Sequence, residues 1–171
     1  MSLSTAEYQA LDHAHFLHPF TDHKRMHETG ARIIERAEGV YLWDSDGHQM
    51  LDGMAGLWCV NVGYGRKDLA EVARKQIEEL PYYNSFFQTA HPPVIDLSKL
   101  LSEVTQDHLT HVFLTNSGSE SNDTVVRMAR YFWQCMGHPD KQVIISRKNA
   151  YHGSTMAGAS LGGMASMHEQ G

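Results

Sequence analysis

Residues 111–137 read HVFLTNSGSESNDTVVRMARYFWQCMG. An apolar run of strand type stops at small, hydroxyl-bearing residues, and a segment of helical spacing follows at once, with Val125, Ala129, Phe132, Trp133 and Met136 on one face. Gly137 supplies a helix stop and Pro139 stands just beyond it. QVIIS at 142–146 then reads as a second buried strand. The pattern predicts a strand–helix–strand unit over residues 111–115, 119–136 and 142–146. Its crossover should be right-handed, and its first turn should lie at the carboxyl edge of a sheet, where ligands bind in open α/β folds.

Ser117, Gly118 and Ser119 occupy that turn. Glycine lets a ligand approach the backbone, the first N–H groups of a helix point outward, and hydroxyls add short donors, so the turn suits a phosphate. The same residues also read as an ordinary helix start, with Ser119 as N-cap and Glu120 and Asp123 as favourable acids near it. A nucleotide P-loop is excluded, because no lysine follows the second glycine of a G-x-x-x-x-G spacing and no G-x-G-x-x-G occurs here. Directly after the second strand comes NAYHGST, residues 149–155. Its tyrosine would stand at the same sheet edge, where a ring can stack on a flat heteroaromatic ligand.

Outward from this unit, proline opens a helix at Pro92-Pro93, continued by Val94, Leu97, Leu100, Leu101 and Val104. Before it, Leu69, Val72, Ala73, Gln76, Ile77 and Leu80 mark one face of a helix that stops at Pro81. RIIERAEGVYLWDSDGHQMLDG, residues 32–53, alternates apolar and polar side chains around Asp46-Gly47 and predicts a small antiparallel meander. The first thirty residues are polar and rich in His, without clear period, and read as an arm. With 42% apolar and 20% charged residues in a chain of 171, the make-up is that of an ordinary globular protein. The net charge of -6, with basic residues scattered, argues against nucleic acid or an anionic membrane as partner. No apolar run approaches the roughly 20 residues of a membrane span, and no signal sequence is legible, which points to the cytoplasm. Cys59 and Cys135 sit among apolar neighbours and are expected as buried reduced thiols, and Trp43, Phe132 and Trp133 as core.

Taken together, the Ser-Gly-Ser-Glu turn at 117–120 and Tyr151-His152-Gly153 resemble the class III pyridoxal-phosphate aminotransferases of fold type I. The resemblance runs from about His15 to the last residue. It implies the N-terminal part of that α/β fold: an arm and small-domain meander over residues 1–60, and over 61–171 the first strands and helices of a mostly parallel sheet in the large cofactor-binding domain. It implies pyridoxal 5'-phosphate as cofactor, with Ser117, Gly118 and Ser119 at the phosphate, Tyr151 stacked on the ring, His152 behind the tyrosine and Gly153 beside them.

FLHPFTDH at 16–23, DGMAGLWCVNVGYGR at 52–66 and PYYNSFFQTAHPP at 81–93 look like the omega-transaminases that act on amines or beta-alanine with pyruvate. The likeness implies Phe20, Trp58 and Phe86 at the substrate pocket, Phe86 reaching it from the partner of a homodimer. The family's Schiff-base lysine, its aspartate at the pyridine nitrogen and its substrate-carboxylate arginine belong to later segments. None of Lys24, Lys67, Lys75, Lys99, Lys141 and Lys148 matches the lysine's motif, so no catalytic residue is assigned and this chain alone is expected to be inactive. Two other readings stand beside this one. One is a non-catalytic cofactor-binding or dimerisation module. The other is a metal site from His13, His15, His18, His23 and His27, whose spacing lacks the Cys pairs or H-E-x-x-H of a strong zinc signal, so no metal is assigned.

Overall fold

Ser4 starts the first helix. Its hydroxyl accepts the Glu7 N–H at 3.3 Å while the Glu7 carboxylate accepts the Ser4 N–H at 2.8 Å, a capping box that opens α1 (Thr5–His15). Asp22 caps α2 (His23–Thr29) in the same way, accepting from the Arg25 N–H at 3.2 Å. The segment expected as an arm therefore carries two helices. Both are set by caps rather than by an apolar stripe, which is why hydrophobic period does not reveal them. α1 is tied to later residues through Thr5 Oγ1, 2.6 Å from Asp46 Oδ1, and through Gln9 Nε2, which donates to the Ala31 carbonyl at 2.9 Å.

This computed structural model describes residues 3–170. The chain divides into two compact units, residues 1–83 and 84–171. In the first, β1 (Ile34–Glu38), β2 (Tyr41–Asp44) and β3 (Gln49–Leu51) form the expected antiparallel meander, with Arg36 opposite Trp43 and Leu42 opposite Met50. The Asp46-Gly47 turn is built on Asp44. Its carboxylate accepts from the Asp46 N–H at 3.1 Å and the His48 N–H at 2.9 Å, and Gly47 supplies a φ of 84°. A single turn, α3 (Ala55–Trp58), and the longer α4 (Lys67–Glu79) complete this unit; α4 is capped at Leu80, just ahead of Pro81.

The second unit contains α5 (Pro92–Val104), with proline in its first turn, then α6 (Gly118–Cys135), α7 (Met156–Leu161) and α8 (Ala165–His168). The N-cap of α6 is Ser117, two residues earlier than the Ser119 of the helix-start reading: its hydroxyl accepts the Glu120 N–H at 3.2 Å. Residues 111–115 and 142–146, expected as the first strands of a parallel sheet, form no ladder among the described residues. A strand needs a neighbour to take its N–H and C=O groups, and here Ile145 remains 93% exposed.

No described hydrophobic residue is buried, and the chain exposes 14411 Å². Two separately folded units of half its 19.3 kDa mass would expose only about 10,000 Å². Several expected burials are corrected on this ground. Cys59 and Cys135 are exposed free thiols, and Phe132 is exposed. Trp43 and Trp133 are half-buried beneath cations, Arg36 at 3.6 Å and Lys141 at 3.4 Å from the ring centroids. The apolar faces of α4 (Leu69, Val72, Ile77) and α6 (Val125, Phe132) are formed but uncovered. Residues 1–171 expressed alone should therefore bind a hydrophobic dye and melt without a cooperative transition. A sharp calorimetric transition with no dye binding would contradict this reading of the faces.

Candidate cofactor and substrate site

The turn that opens α6 meets the segment that precedes α7 within the second unit. The Ser154 N–H donates to Ser119 Oγ at 3.0 Å, and Asn122 Nδ2 donates to the His152 carbonyl at 2.6 Å. One turn further along α6, Asp123 Oδ1 accepts from Thr155 Oγ1 at 2.6 Å and from the Gly158 N–H at 3.1 Å. Gly153 lies buried at the closest approach. Its φ is 125°, and a Cβ placed there would stand 2.5 Å from Ser119 Oγ. The two stretches singled out in the sequence, Ser117 to Ser119 and Tyr151 to Gly153, are thus held together. Asn122, Asp123 and Thr155, which hold them, escape a sequence reading: Asp123 looks like an acid near a helix start, yet it accepts bonds from 32 residues or more away.

The donor set at this turn is specific in kind. The N–H groups of Gly118 and Ser119 begin an 18-residue helix and have no acceptor among the described residues. A Cβ on Gly118 would meet nothing within 4 Å, so the backbone is uncrowded on that side. Ser119 Oγ accepts from Ser154 and keeps its own hydrogen to donate. Glu120 turns its carboxylate back onto the Asn116 N–H at 2.9 Å, where it is occupied outside the helix mouth. Tyr151 is 56% exposed, and its neighbour Asn149 has a φ of 60°.

The three aromatics expected at a substrate pocket stand on exposed loops, Phe20 and Trp58 in the first unit and Phe86 in the second. Left-handed backbone accompanies each one. Phe20 has a φ of 48°, Trp58 of 63°, and Phe86 is followed by Phe87 and Gln88 at 57° and 66°. Around Phe86, Asn84 Oδ1 accepts the Phe86 N–H at 3.0 Å and Thr89 Oγ1 donates to the Phe86 carbonyl at 2.6 Å. All four residues of α3 are left-handed, at 47°, 59°, 64° and 63°. For its three non-glycine members this costs about 3–6 kcal/mol, at roughly 1–2 kcal/mol each. Asp52 offsets it, accepting from the Gly56 N–H at 2.8 Å, the Met54 N–H at 3.1 Å and the Tyr64 hydroxyl at 2.7 Å. The Tyr64 bond, joined by those N–H groups, holds the Asp52 carboxyl below its usual range despite desolvation, and the same bond pushes the Tyr64 hydroxyl up. The carboxylate's contribution to stability is present above its unfolded pKa and fades as pH falls through the folded one. The phenol's is present below its unfolded pKa and fades as pH rises through the folded one, so the bond is whole at neutral pH.

The histidines of the first thirty residues find other partners. The His13 and His27 rings lie 3.8 Å apart between centroids, and His18 Nε2 is 2.7 Å from Asp12 Oδ1. Asp44, Asp46 and His48 bring three possible metal ligands within 4.8 Å, but Asp44 already accepts from the backbone of the other two and serves the turn.

Residues 23–171 match the family described as aminotransferase class-III. The chain belongs to the class-III aminotransferases. It is 60% identical over 167 residues to a putrescine–pyruvate aminotransferase of Pseudomonas aeruginosa, a match covering 98% of this chain and 37% of that protein. It superposes with a TM-score of 0.94 on an (S)-enantioselective omega-transaminase from Thermomicrobium roseum, at 42% identity over 99% of this chain and 38% of that one. An omega transaminase from Pseudomonas jessenii in complex with PMP gives a TM-score of 0.88 at 40% identity, covering 93% and 35%. The chain therefore spans about 37% of the length of the first of these relatives, and it carries the N-terminal part of the fold type I architecture.

Class-III aminotransferases use pyridoxal phosphate, and the residues at the α6 turn fit that group: two unpaired N–H donors, a donating hydroxyl and the positive end of a helix suit its phosphate. No helix among the described residues is long and apolar enough to cross a membrane. In the complete protein, Gly153→Ala should force the 151–155 segment away from Ser119, with affinity for pyridoxal phosphate lowered about tenfold or more and a lower melting temperature. Cofactor titration beside a thermal melt checks it; wild-type values in both would show that the approach can relax freely.

Proposed function

We propose that the complete protein is an aminotransferase that moves an amino group from an amine or omega-amino acid to pyruvate, working as a cytoplasmic homodimer, with this chain as the N-terminal portion that holds cofactor phosphate and ring. The observation that carries this reading is the fixed contact between the Ser117–Ser119 turn and the Tyr151–Gly153 segment. The 60% identity with a putrescine–pyruvate aminotransferase supports an amine donor and pyruvate as acceptor.

Within this reading, the Gly118 and Ser119 N–H groups and the Ser119 hydroxyl hold the phosphate, while Ser117 keeps the helix start in place as its cap. Tyr151 lies against the cofactor ring, and His152 supports it from a backbone fixed by Asn122. Phe20 and Trp58 bound the donor pocket with apolar surface and Phe86 reaches it from the partner subunit of the homodimer, which favours an apolar amine chain. When bound, the cofactor supplies a carbonyl for the donor amine and an electron sink for the bond broken at the donor carbon. The lysine that moves the proton belongs to the part of the complete protein outside these residues.

Ser119→Asp tests the phosphate assignment. A second anion at the helix mouth would repel the phosphate and occupy its donors, so cofactor affinity in the complete protein should fall by about tenfold or more; the larger side chain also crowds Gly153, so the melting temperature is read beside it. Unchanged cofactor binding would remove the assignment. The activity is read separately, as alanine formed from pyruvate with a diamine or an arylalkyl amine. No alanine with any amine, in a protein that still binds cofactor, would favour the non-catalytic module.

A further inference from the structure

Asp52 and Tyr64 belong to no site assigned above, yet both are anchored on one small turn. The Gly39–Val40 turn between β1 and β2 offers two adjacent carbonyls: Gly39 O accepts the Tyr64 N–H at 2.8 Å, and Val40 O accepts the Asp52 N–H at 2.9 Å. The Gly39 N–H donates back to the Tyr64 carbonyl at 3.2 Å, closing an antiparallel bridge. Gly63 permits that approach, since a Cβ there would lie 2.9 Å from Gly39 O. From these fixed starting points the side chains converge. Tyr64 Oη donates to Asp52 Oδ2 at 2.7 Å, and the same oxygen accepts the Gly56 N–H at 2.8 Å. A Cβ on Gly56 would stand 3.0 Å from Tyr64 Oη and 2.8 Å from Val60 Cγ2, so the left-handed turn is pressed against the phenol with no slack.

Two residues on is Trp58, 80% exposed. The left-handed φ of 63° fixes the Cα–Cβ bond of this little-covered ring, and that bond limits which side its staggered rotamers can reach. We propose that Asp52 and Tyr64 are positioning residues for donor selectivity, their hydrogen bond holding the left-handed turn Ala55–Trp58 that aims the Trp58 indole into the donor pocket. This rests on the reading of Trp58 as a wall of that pocket. The chemistry requires an acceptor with several lone pairs at 52, since one carboxylate serves three donors, and a hydroxyl at 64 that reaches it from the meander side. Loss of the hydroxyl frees one carboxylate oxygen to turn away from Gly56. The strained turn then relaxes and the indole swings.

The test uses the full-length enzyme with pyruvate and two donors, a small primary amine and a bulky one, comparing wild type, Tyr64→Phe, Trp58→Ala and the double variant. The quantity read is the ratio of kcat/KM for the bulky donor to that for the small one, beside cofactor affinity and melting temperature. Trp58→Ala should raise the ratio by opening the pocket. Tyr64→Phe should raise it in the same direction, roughly three- to tenfold. In the double variant the ratio should stay at the Trp58→Ala value, because the ring that Tyr64 aims is gone. Asp52→Asn, which keeps an acceptor for Gly56 but weakens the bond to the phenol, should move the ratio the same way and serves where Tyr64→Phe folds poorly. A Tyr64→Phe protein with a lower melting temperature and an unmoved ratio overturns the proposal, as does a double variant in which the two shifts multiply. If Trp58→Ala itself leaves the ratio unchanged, the pocket reading fails first and the proposal with it.

Discussion

The approach of Gly153 to Ser119 is the constraint on which the organisation of the second unit depends. With a hydrogen atom in place of a side chain, the backbone before α7 reaches the first turn of α6, and the Ser154 N–H finds a hydroxyl to bond. Everything around the contact answers to that distance. Asn122 and Asp123 stand on α6 at the positions that meet the His152 carbonyl, the Thr155 hydroxyl and the Gly158 N–H only when the two segments lie this close. The helix mouth then keeps the Gly118 and Ser119 N–H groups without an acceptor among the described residues, on a backbone already held by the contact.

The first unit is built on the same device with different residues. Gly56 presses against Tyr64 and Gly63 against Gly39, and a single carboxylate, Asp52, gathers the donors. In both units polar bonds and close backbone approach fix local geometry while the apolar helix faces stay open. This division is physically reasonable for a segment whose hydrophobic surface is completed by other parts of a fold: local hydrogen bonds form without distant chain, whereas burial cannot. The uncovered faces of α4, α5 and α6 carry apolar side chains of the kind a completed fold buries.

Sequence reading reached some of this and missed the rest for identifiable reasons. Pro92, Gly137 and the Asp46-Gly47 turn are local signals, and each stands where the backbone chemistry requires it. The Ser117–Ser119 turn and the Tyr151–Gly153 segment were legible as features, but their mutual contact runs through Asn122, Asp123 and Thr155, whose bonds span 30 residues or more and leave no periodic mark. α1 and α2 were hidden because polar helices held by caps have no apolar stripe to find. The runs at 111–115 and 142–146 have strand composition, but a ladder is a property of two chains' neighbourhood and not of one run. Least legible is the left-handed α3, since Ala55, Leu57 and Trp58 are residues that avoid such backbone, and only Gly56 hints at it.

That last case carries a physical lesson about the exposed aromatics. A ring in a packed core is oriented by its neighbours on every side, whereas Phe20, Trp58 and Phe86 are mostly exposed. The main chain sets where each Cα–Cβ bond points, and a relaxed loop offers many such directions. Left-handed backbone is a narrow well for a non-glycine residue, so once a chain is held there few alternatives remain. The strain is tolerated because anchored polar groups hold the loop: Asp52 and Tyr64 on either side of Trp58, Asn84 and Thr89 around Phe86. Local strain held by hydrogen bonds thus constrains the backbone of an exposed loop where packing does not.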